Sequence, residues 1–114
     1  MRLPLNTVIS PSRLTDYLLV RKLRNDKSQW LARVGYRADN WQRLESDLRQ
    51  QVLPLVASLD ESSRYGDVYR IETDITGPNG RTLQIVTIWI IEHATNQSKF
   101  ITMYPKKGGA GNAI

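Results

Sequence analysis

An apolar stretch from Leu83 to Ile91, inside the run Arg81–Tyr104, constrains the fold more than any other part of the sequence. Most of its residues are β-branched, and such side chains pack well on a pleated surface. Apolar residues occupy both alternating faces, whereas a strand with one solvated face would alternate apolar and polar residues. The stretch is therefore predicted to be a central strand that is covered on both faces. A polar turn over His93–Ser98 then leads to a shorter strand, Lys99–Tyr104.

Three segments precede this strand pair. Residues Asp67–Ile75 alternate polar and apolar side chains, which predicts a strand with one wet face that lies near a sheet edge. The sequence Thr76-Gly-Pro-Asn-Gly80 predicts a tight turn after it. The segment Leu55–Tyr65 is interpreted as a mobile surface loop.

The first half of the chain predicts three helices with apolar residues at helical spacing. Their boundary signals are Ser10-Pro11 for the first, Asn25 or Asp26 and Gly35 for the second, and Asp39 or Asn40 and Pro54 for the third. This order predicts an α+β fold in which N-terminal helices pack on an antiparallel β-meander of three to four strands. Residues 1–105 are predicted to form a single domain, and residues 106–114 a flexible glycine-rich tail.

The composition limits the classes of function. The chain has 114 residues and no cysteine, so disulfides and thiolate zinc sites are excluded. Neither a signal peptide nor a membrane-spanning stretch is recognisable, which predicts a cytoplasmic protein. The net charge is +5, and all of the excess lies in residues 1–49, which hold ten Lys and Arg against five Asp and Glu. A one-sided basic surface favours a polyanion such as RNA, although a basic face that only aids solubility would look the same.

Lys27 is the first candidate site residue, because it begins a helix and follows the basic residues Arg21, Lys22 and Arg24. A phosphate there would meet both the ammonium group and the helix amides. The alternative is a lysine that points into solvent.

Three other candidates carry polar side chains in the strand region. Thr102 and Tyr104 share parity, so both side chains are predicted to leave the same face of the last strand. The alternative for Thr102 is an ordinary strand-forming residue whose hydroxyl bonds locally. His93 is the only histidine, and it is either a general acid or base or an exposed turn residue. The three tryptophans are interpreted as core residues rather than as platforms for base stacking.

Several short motifs, in a fixed order, resemble a bacterial domain family of unknown function. They are Asp26–Tyr36, Tyr65-Gly66 with Tyr69, Gly77-Pro-Asn-Gly80, Thr87-x-Trp89 and Phe100–Pro105. The resemblance runs from about Leu18 to Pro105. Family members occur beside a short partner gene or as terminal domains of larger bacterial and phage toxins, which implies a toxin–antitoxin or effector role.

The resemblance leaves two hypotheses for function. The first is a metal-independent endoribonuclease toxin with the plan of the barnase–EndoU–RelE group, which needs no cofactor and has a small cognate antitoxin as partner. Its expected catalytic residues are Lys27, Arg70, Thr102, Tyr104 and, more weakly, His93; its expected RNA-binding residues are Arg21, Lys22, Arg24 and Arg81. The second is a non-enzymatic interaction module, such as an antitoxin or immunity-like partner. The sequence leaves open whether the protein forms a homodimer.

Overall fold

The structure, a computed structural model, describes residues 1–20 and 26–107 and has the predicted α+β architecture. Helices come first, and a four-stranded antiparallel sheet follows in the order β1-β2-β3-β4. The predicted fold class is therefore confirmed. Arg21, Lys22 and Arg24 lie outside the described residues, as does the predicted tail from residue 108 onward. No helix within the described part of the chain is long and apolar enough to cross a membrane.

The helical half consists of short helices that continue into single irregular turns. Helix α1 spans Pro11–Arg13 and continues as a π-helical turn over Leu14–Leu18. Helix α2 spans Ser28–Ala32. A 3-10 turn over Ala38–Asn40 leads into α3, Trp41–Asp47, which continues as a π-helical turn over Leu48–Val52. Helix α2 begins one residue after the predicted start, with Lys27 as its N-cap residue, and the Asp26 carboxylate accepts the Ser28 backbone N–H at 2.8 Å. Helix α1 begins at Pro11 with Ser10 as its N-cap residue, as predicted, although the Ser10 hydroxyl pairs with that of Ser12 and makes no cap bond.

The sheet is a meander of β1 (Ser58–Ser62), β2 (Gly66–Thr76), β3 (Thr82–Glu92) and β4 (Ser98–Pro105). Strand β3 lies between β2 and β4, as predicted for the apolar stretch. Two predictions are wrong. The supposed loop Leu55–Tyr65 contains β1, and β2 is consequently an inner strand. All five β1 residues are exposed, so this strand is held by backbone pairing and leaves no apolar pattern in the sequence.

The core lies between the helices and one face of the sheet. Trp89 is fully buried there, and its indole N–H donates to Thr87 Oγ1 at 2.8 Å. The Thr87 hydroxyl in turn donates to the Ile71 carbonyl at 3.0 Å, so the buried polar groups are satisfied. Trp30 and Trp41 pack against the same core, which confirms the interpretation of the tryptophans.

A register shift in β4 separates side chains that the sequence places together. Trp89 pairs with Phe100, whereas the preceding Ile88 pairs with Thr102, so β4 has one extra residue at this point. Phe100 is buried in the core. Thr102 therefore lies with Ile88 on the opposite sheet face, which we call the open face. On that face Ile88 and Ile90 are only half-buried, so the predicted cover of β3 is complete on one side only.

Candidate functional site

The open face carries a groove of about 690 Å³ that contains most of the predicted catalytic residues. Its lining includes the basic side chains of Lys27, Arg70 and Lys106, the Glu72 carboxylate and the Tyr104 phenol, with Val86 as its buried apolar residue. We call this site the cationic groove. Sequence positions as far apart as 27 and 106 meet here because β2, β3 and β4 lie side by side and the start of α2 reaches the edge of β4.

Lys27 is the residue immediately before α2, and its side chain extends into the cationic groove. Its ammonium group donates a hydrogen bond of 3.0 Å to the Thr102 hydroxyl. The same Nζ atom lies 5.3 Å from the centroid of the Tyr17 ring, within the range of a cation–π contact. The ammonium is thus held between a helical residue and the last strand, at the margin of the open face. The structure favours this arrangement over the alternative of a lysine that points freely into solvent.

A linked set of charges lies beside Lys27. Arg70 donates to Glu72 at 2.9 Å, and Lys106 lies 3.4 Å from the other oxygen of the same carboxylate. The hydrogen bond to Glu72, followed by the nearby Tyr104, raises the pKa of the Arg70 guanidinium above its ordinary value. The Nε atom of Arg70 is buried and has no hydrogen-bond partner among the described residues. A buried donor of this kind is normally satisfied, so a ligand oxygen at this position would complete its bonding.

Sequence reasoning missed Glu72 and Lys106. Glu72 is the only carboxylate among the described residues that line the groove. Its two-residue spacing from Arg70 places both side chains on the same strand face, and that signal was available in the sequence. Lys106 was assigned to the tail, although its backbone N–H donates to the Gln84 carbonyl at 3.0 Å.

His93 and Arg81 do not line the cationic groove. His93 lies just beyond β3, where its Nε2 is 3.2 Å from the Asp67 carboxylate. Hydrogen bonds, first from Ser62 and then from His93, lower the pKa of Asp67. Arg81 is exposed in the β2–β3 turn, and its backbone N–H donates to the Asn79 side chain at 3.0 Å.

The groove has the groups needed to bind an anion and to move a proton. Its lining includes four cationic side chains, one carboxylate and one phenol. Within residues 1–20 and 26–107, no three His, Cys, Asp or Glu side chains form a cluster that could hold a metal ion. The described side chains of the groove can neutralise charge, donate hydrogen bonds and transfer protons.

Fold and groove together define a small α+β domain with a cationic site on its open sheet face. The chain belongs to the family described as a domain of unknown function, DUF6883, which matches residues 5–107. This description agrees with the expected resemblance to a domain family of unknown function. No curated protein matches the sequence.

A solved structure shares the fold. A chain of the contact-dependent growth inhibition toxin–immunity protein complex from Klebsiella pneumoniae 342 superposes with a TM-score of 0.54 and 17% sequence identity. The match covers 88% of this chain and 100% of that chain. At this identity the likeness establishes the fold alone.

Proposed function

We propose that this protein is the toxin of a bacterial toxin–antitoxin pair and acts as a metal-independent endoribonuclease at the cationic groove. One observation carries the proposal: Lys27, which is bonded to Thr102, lines one open pocket together with the ion-paired Arg70, Glu72 and Lys106. The excess of positive charge in residues 1–49 supports a polyanionic substrate. The structural neighbour, a component of a toxin–immunity complex, supports the biological setting.

The proposed reaction uses the RNA itself as nucleophile. The ribose 2′-oxygen attacks the adjacent phosphorus, an O2′–P bond forms, and the P–O5′ bond breaks. The products are a 2′,3′-cyclic phosphate and a 5′-hydroxyl. The protein has only to accept the proton of the 2′-hydroxyl, donate a proton to the leaving oxygen and stabilise the charge on the phosphate.

We assign these roles by charge and position. Lys27 neutralises the phosphate charge that develops in the transition state, and Thr102 positions its ammonium group. The buried Nε of Arg70 supplies a second donor to the phosphate. Tyr104 is the proton donor, and Glu72 is the acceptor because it is the groove's only carboxylate among the described residues.

The ion pairs of Glu72 are compatible with its role as a base. In the free protein Arg70 and Lys106 both contact this carboxylate. A bound phosphate competes for the same two cations. Its arrival therefore frees the carboxylate to accept a proton in the complex.

The test is RNA cleavage by the purified protein in the presence of EDTA. We expect products that end in a 2′,3′-cyclic phosphate, and we expect Glu72→Gln to reduce cleavage by about 100-fold or more, the usual contribution of a positioned acid or base. Glu61→Gln is the matched control, because Glu61 is an exposed carboxylate on β1 outside the groove. Cleavage that requires an added metal, or equal rates for the two variants, would refute the assignment.

One observation favours the alternative of an immunity-like interaction module. Four large apolar side chains, Leu55, Val56, Leu59 and Tyr65, are exposed on or beside the edge strand β1. Exposed apolar residues at a strand edge suit contact with another protein. Expression separates the two functions: a toxin arrests growth, whereas an immunity protein is harmless alone and rescues cells from its neighbour's product.

A further inference from the structure

A second groove of about 630 Å³ lies further along the same sheet. Its lining includes Ser10 and Arg13 from the start of the helical half, Ile90 from β3, and Gln97 and Ile101 around β4. It is similar in volume to the cationic groove but contains a different set of side chains. None of the chemistry assigned to the cationic groove uses it.

The two grooves follow one another along β3. Val86 lines the first and Ile90 lines the second, and the half-buried Ile88 lies between them on the same face. Four residues of strand correspond to about 13 Å. A nucleic-acid strand with phosphates about 3.4 Å apart along its axis would cover that distance with roughly four stacked nucleotides.

The polar groups of the second groove leave one cation unpaired. Lys99 is neutralised by Glu92, whose carboxylate lies 3.2 Å from its ammonium. The Arg13 side chain, in contrast, is exposed and makes no hydrogen bond or ion pair with any described residue. The Gln97 side-chain amide is likewise uncommitted within the described part of the chain. A phosphate for Arg13 and a base edge for Gln97 would satisfy both groups.

We infer that the second groove is a nucleotide subsite, which binds the same RNA strand several nucleotides away from the bond cleaved in the cationic groove. Arg13 contacts a phosphate, and the half-buried Ile90 and Ile101 form an apolar floor for a base. The inference rests on the proposed action on RNA and specifies its substrate as a single strand long enough to reach both grooves.

The test compares RNA binding and cleavage at two substrate lengths. Binding is measured by fluorescence anisotropy of a labelled eight-nucleotide RNA with 2′-O-methyl groups, which cannot be cleaved, over a series of salt concentrations. Arg13→Ala should weaken binding and reduce the salt slope by about 0.7, the value for one lost single-strand phosphate contact. The matched control is Arg33→Ala, which removes the same charge from an exposed position that lines neither groove.

Cleavage provides the second measurement. Arg13→Ala should lower kcat/KM for the unmodified eight-nucleotide RNA and leave kcat/KM for a dinucleotide unchanged, because a dinucleotide cannot span both grooves. Equal effects of Arg13→Ala and Arg33→Ala, or an equal loss at both lengths, would overturn the inference. If neither RNA is cleaved but only Arg13→Ala changes the salt slope, the subsite is supported and the proposed ribonuclease activity fails.

Discussion

Replacing Lys27 by alanine tests the central assignment most directly, because the structure separates its effect on activity from its effect on folding. The half-buried side chain makes one hydrogen bond, to Thr102. Its loss should cost about 1 kcal/mol of unfolding free energy. In a domain of this size that corresponds to a fall of about 4 °C in Tm, so the variant should remain folded.

The effect on catalysis should be much larger. Removing one preorganised donor from a developing oxyanion typically costs about 100- to 1,000-fold in rate, or about 2.7–4 kcal/mol. We therefore expect Lys27→Ala to abolish growth arrest on expression and to lower RNA cleavage by that factor, with Tm as the measure of folding. Lys27→Arg keeps the charge and should retain part of the activity. A folded Lys27→Ala protein that is as toxic as the wild type would refute the role of Lys27.

Two further predictions concern the fold. A Cβ at Gly77 would overlap the carbonyl oxygen and the side chain of Val34, so Gly77→Ala should destabilise the fold by about 1–3 kcal/mol or more. Gly80→Ala has open space and should cost only the strain of its φ of +85°. Urea unfolding of both variants measures the difference. Hydrogen bonds, first from Ser62, lower the pKa of Asp67, so its ionised form is favoured in the folded state. The stability that the ionised carboxylate contributes is present above the ordinary pKa of about 3.9 and is lost as the pH falls through the lowered pKa of the folded state. The difference in urea midpoint between wild type and Asp67→Asn should therefore vanish in strong acid. An unchanged difference there would contradict this linkage.

The sequence determined the type and order of most elements. Apolar residues at both even and odd positions predicted β3, and alternating polar and apolar residues predicted β2. Boundary residues located α2, so the α+β class followed from local patterns. It also predicted that Lys27 begins a helix and that Arg70 lies on a solvated strand face. The strand β1 gave no such signal, because its five residues are exposed and its pairing uses backbone groups that every residue has.

The tertiary structure decided which of these side chains meet. Phe100 and Thr102 have the same parity in the sequence, yet the extra residue in β4 places Phe100 in the core and Thr102 on the open face. A one-residue shift reverses every side chain beyond it, and no local pattern records where such a shift occurs. The contact between Lys27 and Thr102 spans 75 positions and exists only because α2 begins at the edge of β4. Local sequence patterns thus determine which segments are helices and strands, whereas strand register and tertiary packing determine which side chains line the groove.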